Sequence, residues 1–386
     1  MSSGGTLTGL SVIDFTQIVA GPICTMMLAD RGADVLKIEA PSGDLGRALG
    51  PPFVNGQGAI FLSVNRNKRS AVFDLKSKQD LEVVRGLIAN ADVVVESFRP
   101  GVMAKLGLDY ESTSANNGRL IYCSISAYGQ RGPCSGKPGV DGIIQATSGL
   151  MSVMGTADGV PVKVQAPVID VVTGFLATTA ILDALMLRQH SGRGAWLDVN
   201  MYAAGIQIQQ IGLASYLASG ELPTPSGSAA PYAAPNEAFP TADGWVMIAA
   251  YQPKRWPALC EVLGVVELAG DPLFSSQEQR VANRQAMVQR LSAQTLRWSS
   301  SELIAALEVR DIICGPVNTY ADVTASAAFA GLTDSFDHPE AGSFRVVGPA
   351  AVCDGIYRTG PMRPAPLLGE HTSEVAGLVR ELRPPS

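Results

Sequence analysis

The sequence predicts an α/β protein whose first 200 residues form a parallel sheet, and two patterns support this prediction. Most of six short apolar runs contain nearly continuous Val, Ile and Leu, which is typical of strands that are buried on both faces of a sheet. Helix-like segments separate these runs, as in KQDLEVVRGLIANA (78–91), where apolar residues recur every three or four positions. Such alternation favours parallel strands joined by right-handed crossovers. The predicted strands are LSVIDF (10–15), DVLKIE (34–39), SAVFDL (70–75), DVVVES (92–97), LIYCSIS (120–126) and AWLDVN (195–200).

A change in composition marks a second, smaller domain. Residues 218–235 are rich in Ser, Pro, Gly and Ala, which indicates a linker or a crossing between domains. The segment NEAFPTADGWVMIAAY (236–251) then predicts a hairpin with its turn at Ala242-Asp243-Gly244. We therefore expect a smaller α+β domain from about 225 to 325, with helices at 255–264, 277–296 and 300–310.

Charge and hydropathy argue against several classes of protein. The net charge of −6 is unlike the basic excess of a nucleic-acid-binding protein. The first ten residues show no charged segment followed by an apolar one, so we expect no signal peptide. The most apolar stretch, 171–188, carries Thr, Asp and Arg, and it predicts a buried helix and no membrane span. These features indicate a cytoplasmic protein.

Cysteine and histidine usage gives no sign of a metal centre. The six cysteines are scattered and never form a C-x-x-C pair, and the chain has only three histidines. A zinc site needs several such ligands at short spacings. We therefore expect free thiols and no bound metal.

Positive charges follow or flank the predicted strands, where α/β folds place ligands. Arginine could bind a phosphate through two parallel hydrogen bonds. A basic cluster at a strand edge is, however, more often a solvated surface, and the phosphate-binding motifs GxxxxGK[ST] and GxGxxG are both missing. The candidate phosphate-binding residues are Arg66, Lys68, Arg69, Arg99 and Lys105.

Two aspartates lie where a predicted helix begins. Asp170 follows an apolar approach in PVIDVVTGFL, and Asp141 stands in PGVDGII. A carboxylate at such a position usually caps the helix. The alternative is that the helix end presents the Asp170 carboxylate as a nucleophile. The residues alone leave both interpretations open, since the chain has no G-x-S-x-G motif and no histidine beside an obvious nucleophile.

Ten segments, taken together and in order, resemble the class III coenzyme A transferases, the family that includes formyl-CoA transferase and carnitine CoA-transferase. They are LTGLSVIDFTQIVAGP (7–22), RGADVLKIEAPSGD (31–44), NRNKRSAVFDLK (65–76), ADVVVESFRPGVMAKLGL (91–108), ISAYGQRGP (125–133), DGIIQATSGLMSVMG (141–155), VIDVVTG (168–174), FPTADGWVMIAA (239–250), CGPVNT (314–319) and RPAPLLGEHTSEV (363–375).

The resemblance implies roles for individual residues. The nucleophilic aspartate of the family falls on Asp170, and Asp141 matches a carboxylate near the active site of formyl-CoA transferase. Val140 stands where that enzyme has an aromatic residue, Ala40 replaces a CoA-contacting arginine, and its glycine loop is absent. The residues implied to line the coenzyme A site are Gln17, Ile18, Val19, Ala20, Phe73, Lys76, Ser97, Phe98, Arg99, Lys105 and Leu106.

The resemblance also implies a fold and an assembly. A large Rossmann-like domain would comprise residues 1–200 and 330–386, followed by a linker helix and crossing at 201–224 and a small domain at 225–329. Two chains would thread through each other as interlocked rings. No cofactor would be permanently bound, because coenzyme A and its acyl thioesters are substrates.

The implied reaction transfers CoA from an acyl-CoA to a carboxylic acid through an acyl-aspartyl anhydride and an aspartyl-CoA thioester on Asp170. Short dicarboxylic acids such as succinate are the expected substrates. The acceptor would meet polar groups from the set Tyr232, Asn236, Gln252, Lys254 and Arg255.

Four other functions compete with this one. An α-methylacyl-CoA racemase needs two proton-transferring groups, and Val140 cannot transfer a proton. An acyl-CoA lyase or hydratase and a non-catalytic CoA-binding protein remain open, although the presence of Asp170 disfavours the latter. The missing glycine fingerprint disfavours a dehydrogenase.

Overall fold

The computed structural model describes residues 5–156, 158–351 and 362–381. The chain divides into two compact units: the larger comprises Met1–Leu150, Lys163–Glu221 and Gly331–Ser386, and the smaller comprises Met151–Val162 and Leu222–Ala330. The sequence offered no sign that the segment from 151 to 162 groups with the smaller unit. Some of the predictions concern residues that are not described. These residues are 1–4, where no signal peptide is expected, and 352–361 and 382–386 of the expected large domain, with Cys353 among them.

Strands and helices alternate in the larger unit as predicted. Its strands are β1 (Ser11–Phe15), β2 (Asp34–Glu39), β3 (Phe53–Val54), β4 (Gln57–Gly58), β5 (Arg69–Val72), β6 (Val93–Glu96), β7 (Ile121–Ser126) and β8 (Ala195–Asn200). Its helices are α1 (Ala20–Ala29), α2 (Leu45–Ala48), α3 (Ala59–Val64), α4 (Lys78–Ala89), α5 (Val102–Leu106), α6 (Tyr110–Ser114), α7 (Asp141–Thr147), α8 (Val168–Ser191), α9 (Met201–Gln207) and α10 (Gln210–Ser219).

Six of these strands form one parallel sheet in the order β5-β2-β1-β6-β7-β8, which confirms the predicted parallel α/β fold. Residues on alternate sides of β1 enter different cores: Val12 joins α1 and α8, and Ile13 joins α4 and α5. The chain moves outward from β1 to β5 and then starts again at β6 on the other side. The direction of winding thus reverses between β1 and β6, where parallel α/β sheets leave a crevice at the carboxyl ends of the strands.

Helix α8 packs against α1, β7 and β8, but only one of its faces is buried. Thr173, Ala177 and Ile181 face the core, whereas Phe175 and Met186 are about half exposed or more, at 49% and 64%. The expectation of a buried helix at 171–188 is therefore right for one face only. By length and composition α8 could also span a bilayer, a test that the core helices of soluble proteins pass as well.

The smaller unit contains an antiparallel sheet of β9 (Asn236–Pro240), β10 (Trp245–Ala249) and β11 (Ile313–Pro316), in the order β11-β10-β9. The predicted hairpin is β9–β10, and the Thr241 N–H closes its turn on the Gly244 carbonyl at 2.9 Å. Its helices are α11 (Arg255–Val262), α12 (Glu267–Gly270), α13 (Gln277–Ala282), α14 (Arg284–Thr295), α15 (Ser300–Glu308) and α16 (Tyr320–Ala325). The single helix expected at 277–296 is broken at Asn283, whose backbone is not helical.

After the smaller unit the chain returns to the larger one. A hairpin of β12 (Thr333–His338) and β13 (Gly342–Val347) packs through Phe344 and Ala341 on Phe61 of α3. Helix α17 (Thr372–Glu381) then packs against α4 and β5, on the outer edge of the parallel sheet. Short 3-10 turns at Leu150–Val153 and Ala327–Phe329 complete the described elements.

Candidate active site

A cleft of about 340 Å³ opens at the carboxyl ends of β1 and β6, and Asp170 lies in its wall. We call it the Asp170 cleft. A second cleft of about 310 Å³, the Lys137 cleft, shares Ser97–Arg99 and Val140 with the first, so the two form one continuous groove. The Asp170 cleft is lined by Gln17, Ile18, Val19, Ala20, Gly21, Leu45, Ser97, Phe98, Arg99, Ile125, Ser126, Ala127, Gly139, Val140, Asp170 and Met201.

Asp170 is the third residue of α8, but it does not cap that helix. Pro167 occupies the N-cap position and offers no side-chain acceptor. No group in the described part of the chain donates a hydrogen bond to the Asp170 carboxylate. The helix cap that the sequence offered as an alternative is therefore not the role of this side chain.

The carboxylate of Asp141 satisfies the start of α8 instead. One of its oxygens accepts hydrogen bonds from the Ile169 N–H at 2.8 Å and the Asp170 N–H at 3.3 Å, and the other accepts from Gln145 Nε2 at 2.5 Å. The Gln145 side chain is held by the backbone of Val164: the Val164 N–H donates to Gln145 Oε1, and the Val164 carbonyl accepts from Gln145 Nε2. A buried carboxylate from α7 thus fixes the helix end that carries Asp170.

Burial and a neighbouring charge raise the pKa of Asp170 to about 7. Removal of the carboxylate from water is the larger cause, and the negative charge of Asp141 adds to it. The Asp170 carboxylate therefore gains little stabilisation from its surroundings. A carboxylate in this condition is a better nucleophile than a solvated one.

Helices α1 and α8 approach closely beside this carboxylate. A Cβ atom on Gly174 would lie 2.7 Å from the Ala20 carbonyl oxygen, so only glycine fits where α8 passes the start of α1. Asp170 is one helical turn before Gly174, and the first turns of both helices therefore border the same cleft. The Ala20 and Gly21 N–H groups, at the start of α1, have no partner among the described residues.

The structure brings most of the predicted coenzyme A residues together. Gln17, Ile18 and Val19 form the loop after β1, and Ala20 begins α1. Ser97, Phe98 and Arg99 follow β6 and face the same cleft. Val140 lies in the wall, with 59% of its surface exposed, and Asp141 is buried behind it.

Four further predicted residues do not line the described clefts. Phe73 is buried in the core between the sheet and α4, and Leu106 packs against the same core. Lys76 and Lys105 are exposed on the surface. Nothing in the geometry assigns these four to a ligand.

Three of the candidate phosphate-binding cations are occupied by carboxylates, so that interpretation is wrong for them. Arg66 is buried and paired with Asp30 at 2.6 Å, and Lys68 is buried and paired with Asp14 at 3.1 Å. Arg69 pairs with Asp34 and Glu374. A run of cations in a sequence does not show where each side chain points. In the structure, these three side chains point to carboxylates within the fold.

Lys137 is a cation of the groove that the sequence analysis did not single out. It lies four residues before Asp141, and it lines the Lys137 cleft together with Arg99. Gln145 was also missed, although its spacing of four residues from Asp141 places both on one face of a helix. Among the described residues, no group of three or more His, Cys, Asp or Glu side chains could hold a metal ion.

A sequence model of CoA-transferase family III matches residues 7–372. The chain therefore belongs to this family, and the protein is a CoA-transferase that uses CoA thioesters as substrates. It is 37% identical to succinyl-CoA:glutarate CoA-transferase of Mus musculus, covering 96% of this chain and 85% of that one. It is also 37% identical to succinyl-CoA:mesaconate CoA-transferase of Haloarcula hispanica, covering 96% of both.

Solved structures show the same fold. A CAIB/BAIF family protein from Brucella suis superposes with a TM-score of 0.86 at 35% identity, covering 97% of this chain and 100% of that one. Rv3272 from Mycobacterium tuberculosis, in its orthorhombic form, superposes with a TM-score of 0.87 at 32% identity, covering 96% and 99%.

Proposed function

We propose that this enzyme transfers coenzyme A from succinyl-CoA to a second short dicarboxylic acid, with Asp170 as the nucleophile. The observation that carries the proposal is the Asp170 carboxylate, which is partly buried, accepts no hydrogen bond from the described residues and faces a groove. Relatives named for succinyl-CoA, glutarate and mesaconate support the choice of substrates. Acids of that kind are also what the sequence led us to expect.

Transfer would proceed by exchange at two carbonyl groups. An Asp170 oxygen attacks the thioester carbonyl, the C–S bond breaks, and CoA departs as the thiolate. Asp170 and succinate are then joined as an anhydride. The thiolate then attacks the Asp170 carbonyl, which releases succinate and leaves an aspartyl-CoA thioester. The acceptor carboxylate attacks the carbonyl of the aspartyl-CoA thioester and releases the thiolate, which gives an anhydride between Asp170 and the acceptor. The thiolate then attacks the acceptor carbonyl of this anhydride, which forms the new acyl-CoA and regenerates Asp170.

The groove offers suitable groups for both parts of the substrate. The unpaired N–H groups of Ala20 and Gly21 lie at the positive end of α1 and could stabilise negative charge on a carbonyl oxygen beside Asp170. Arg99 and Lys137 give the neighbouring cleft positive charge for the phosphates of CoA. Val140 has no proton to transfer, which disfavours racemisation.

A covalent intermediate on Asp170 tests the proposal directly. The enzyme is incubated with succinyl-CoA alone, quenched, digested and analysed by mass spectrometry, with and without borohydride to reduce an aspartyl thioester. We expect an adduct on the peptide that contains Asp170 and none on the peptide that contains Asp141. Initial rates with glutarate, mesaconate, acetate and butyrate as acceptors then test the substrate class. An adduct on another residue, or a clear preference for monocarboxylates, would contradict the corresponding part of the proposal.

Arg99→Ala is expected to raise KM for succinyl-CoA about tenfold and to change kcat less. A contact with the CoA phosphates, which do not change in the reaction, stabilises the bound substrate and the transition state equally, so its loss affects KM. Arg85→Ala is the matched control, because Arg85 pairs with Glu82 on the exposed side of α4. Steady-state kinetics measure both parameters. Equal KM values in the two variants would place the phosphates elsewhere.

We also propose that the enzyme is a homodimer, as the family resemblance implies. Its larger unit exposes apolar side chains on α8 and α10, including Met186 at 64%, Ile211 at 71% and Leu217 at 81%. Such a surface usually contacts another protein, and a second copy of the chain is the occupant we expect. Sedimentation analysis should give twice the chain mass of 40.4 kDa. Leu217→Glu should lower the dimer yield, and Val309→Glu, which alters an exposed residue of the smaller unit, should not. A monomer at micromolar concentration would contradict the proposal.

A further inference from the structure

The loop after β1 has three successive backbone N–H groups, and each donates to a side chain from a different part of the fold. The Thr16 N–H donates to Asp14 Oδ1 at 2.8 Å, the Gln17 N–H to Ser97 Oγ at 3.1 Å, and the Ile18 N–H to Asp44 Oδ1 at 3.1 Å. The unpaired N–H groups at the start of α1 follow immediately. The anchors therefore determine where those unpaired donors point.

One residue of this loop has an unfavourable backbone. Ile18 has a φ of +70°, in the left-handed region that β-branched residues rarely adopt. Ile18 is also part of the cleft wall. A strained residue of this kind keeps its conformation only where surrounding contacts hold it, and such residues cluster at functional sites. The contact that holds the Ile18 N–H is Asp44.

Asp44 is itself rigidly held and buried. The oxygen that accepts from Ile18 also accepts from the Gly46 N–H at 2.7 Å, which starts α2 and places Leu45 in the cleft wall. Its other oxygen pairs with Lys37 Nζ at 2.7 Å, and Lys37 also donates to the Thr16 carbonyl at 2.6 Å. Asp44 thus links two parts of the cleft wall, Ile18 and Leu45, to the buried cation Lys37.

The ion pair belongs to a larger buried network in which the charges balance. Three carboxylates, Asp14, Glu39 and Asp44, meet the three cations Lys37, Arg47 and Lys68. The positive charges of Lys68 and Lys37 hold the pKa of Asp14 at about 2 against the opposing effect of burial. A buried network of this size often adds little to stability compared with apolar packing. Here three of its members, Asp14, Lys37 and Asp44, hydrogen-bond directly to the loop that borders Asp170.

We infer that Asp44 is a positioning residue for CoA transfer: it holds Ile18 in its left-handed conformation and thereby aims the start of α1 at the carbonyl that Asp170 attacks. The inference rests on the proposed role of Asp170. Asp44 does not touch the reacting atoms, since Ile18 and Leu45 separate it from the cleft. Its effect should fall mainly on kcat, because Arg99 and Lys137, the cations proposed to bind the CoA phosphates, are not among the contacts of Asp44.

Asp44→Asn tests the inference. Asparagine has one acceptor oxygen where Asp44 uses two, so its amide N–H₂ must face either the Lys37 ammonium or the N–H groups of Ile18 and Gly46. In both orientations donor faces donor, and the anchor of Ile18 is lost or displaced. We expect kcat to fall about 10- to 100-fold, as for small displacements of catalytic groups, with KM for succinyl-CoA changed by less than about threefold. Asp30→Asn is the control: it breaks a buried ion pair with Arg66 at the other end of α1, away from the cleft. That variant should keep the wild-type kcat per folded molecule.

A second substitution separates positioning from simple loss of stability. Glycine adopts positive φ angles without strain, so Ile18→Gly should recover at least about threefold of kcat in the Asp44→Asn background and give no gain in the wild type. If Asp44→Asn does not fold, Asp44→Glu decides, because it keeps the negative charge beside Lys37 but moves the carboxylate away from the Ile18 N–H and should lower kcat in the same way.

Two results would overturn the inference. One is a kcat in Asp44→Asn, or in Asp44→Glu, that equals the kcat of the Asp30→Asn control. The other is a kcat defect in Asp44→Asn that Ile18→Gly does not relieve. The proposed function is tested separately, since it fails if the Asp170 adduct is missing in the wild type. If the adduct forms in the wild type and at the same rate in Asp44→Asn, only the positioning role is wrong.

Discussion

Replacement of Asp170 by alanine is expected to lower kcat for CoA transfer by about 10³-fold or more, with CoA still bound. Neither the anhydride nor the aspartyl thioester can form without this carboxylate. The nearest carboxylate, Asp141, cannot replace it, because it is buried and accepts three hydrogen bonds. Initial rates with succinyl-CoA and glutarate measure the loss, and calorimetric titration with CoA measures binding.

Asp183→Ala is the matched control for this substitution. Asp183 lies on the same helix, α8, about 20 Å further along it, and it is exposed. The control variant should retain the wild-type rate. Retention of even a tenth of kcat in Asp170→Ala would show that another residue carries the acyl group.

The nearly isosteric variant Asp170→Asn should also be inactive and yet more stable than the wild type at neutral pH. The pKa of Asp170 is raised from 3.8 to about 7 in the folded protein. A carboxyl group with a raised folded-state pKa gives its full stability below the unfolded-state value and loses it as the pH rises through the folded-state value. The stability gain of Asp170→Asn should therefore grow from pH 4 to pH 8. It should reach on the order of 2 kcal/mol once partial exposure is taken into account. Equal melting temperatures for both proteins at pH 8 would contradict a raised pKa.

The activity of the wild type should rise with pH through about 7, and Asp141→Asn should move this rise to lower pH. Only the ionised form of Asp170 can attack, so at pH 6 about a tenth of the free enzyme would be competent. Removal of the Asp141 charge lowers the pKa of Asp170, since one of the two causes of the shift is gone. The measurement is kcat/KM for succinyl-CoA between pH 5 and 9.

The Asp141→Asn variant should move the midpoint down by about one pH unit and also lower the plateau, because a less basic carboxylate is a weaker nucleophile. Asparagine at this position would place its amide N–H₂ against Gln145 Nε2, so a loss of stability of about 1–3 kcal/mol is expected as well. Asp183→Asn removes the same charge from the exposed side of α8 and should leave the midpoint unchanged. A midpoint that does not move in Asp141→Asn would mean that the titrating group is not Asp170.

The sequence by itself determined the parallel sheet and the place of Asp170 at the start of a helix. Strands buried on both faces favour continuous apolar runs, as in the three valines of DVVVES. The position of Asp170 in the first turn of a long helix follows equally from local pattern. The loop after β1 and the turn after β6 were also predictable as neighbours of the site, because parallel strands end at one edge of a sheet.

The tertiary structure alone decided what surrounds those residues. Asp141 reaches the start of α8 across 29 residues, and this contact, not the local sequence, leaves the Asp170 carboxylate without a capping role. Arg66 and Lys68 turned out to pair with carboxylates inside the fold, although the sequence showed only a basic cluster. Local pattern reports which face of an element is apolar, whereas the partner of a buried charge depends on which elements the chain packs together. A buried charge must find a partner or a hydrogen bond, and only the fold supplies it.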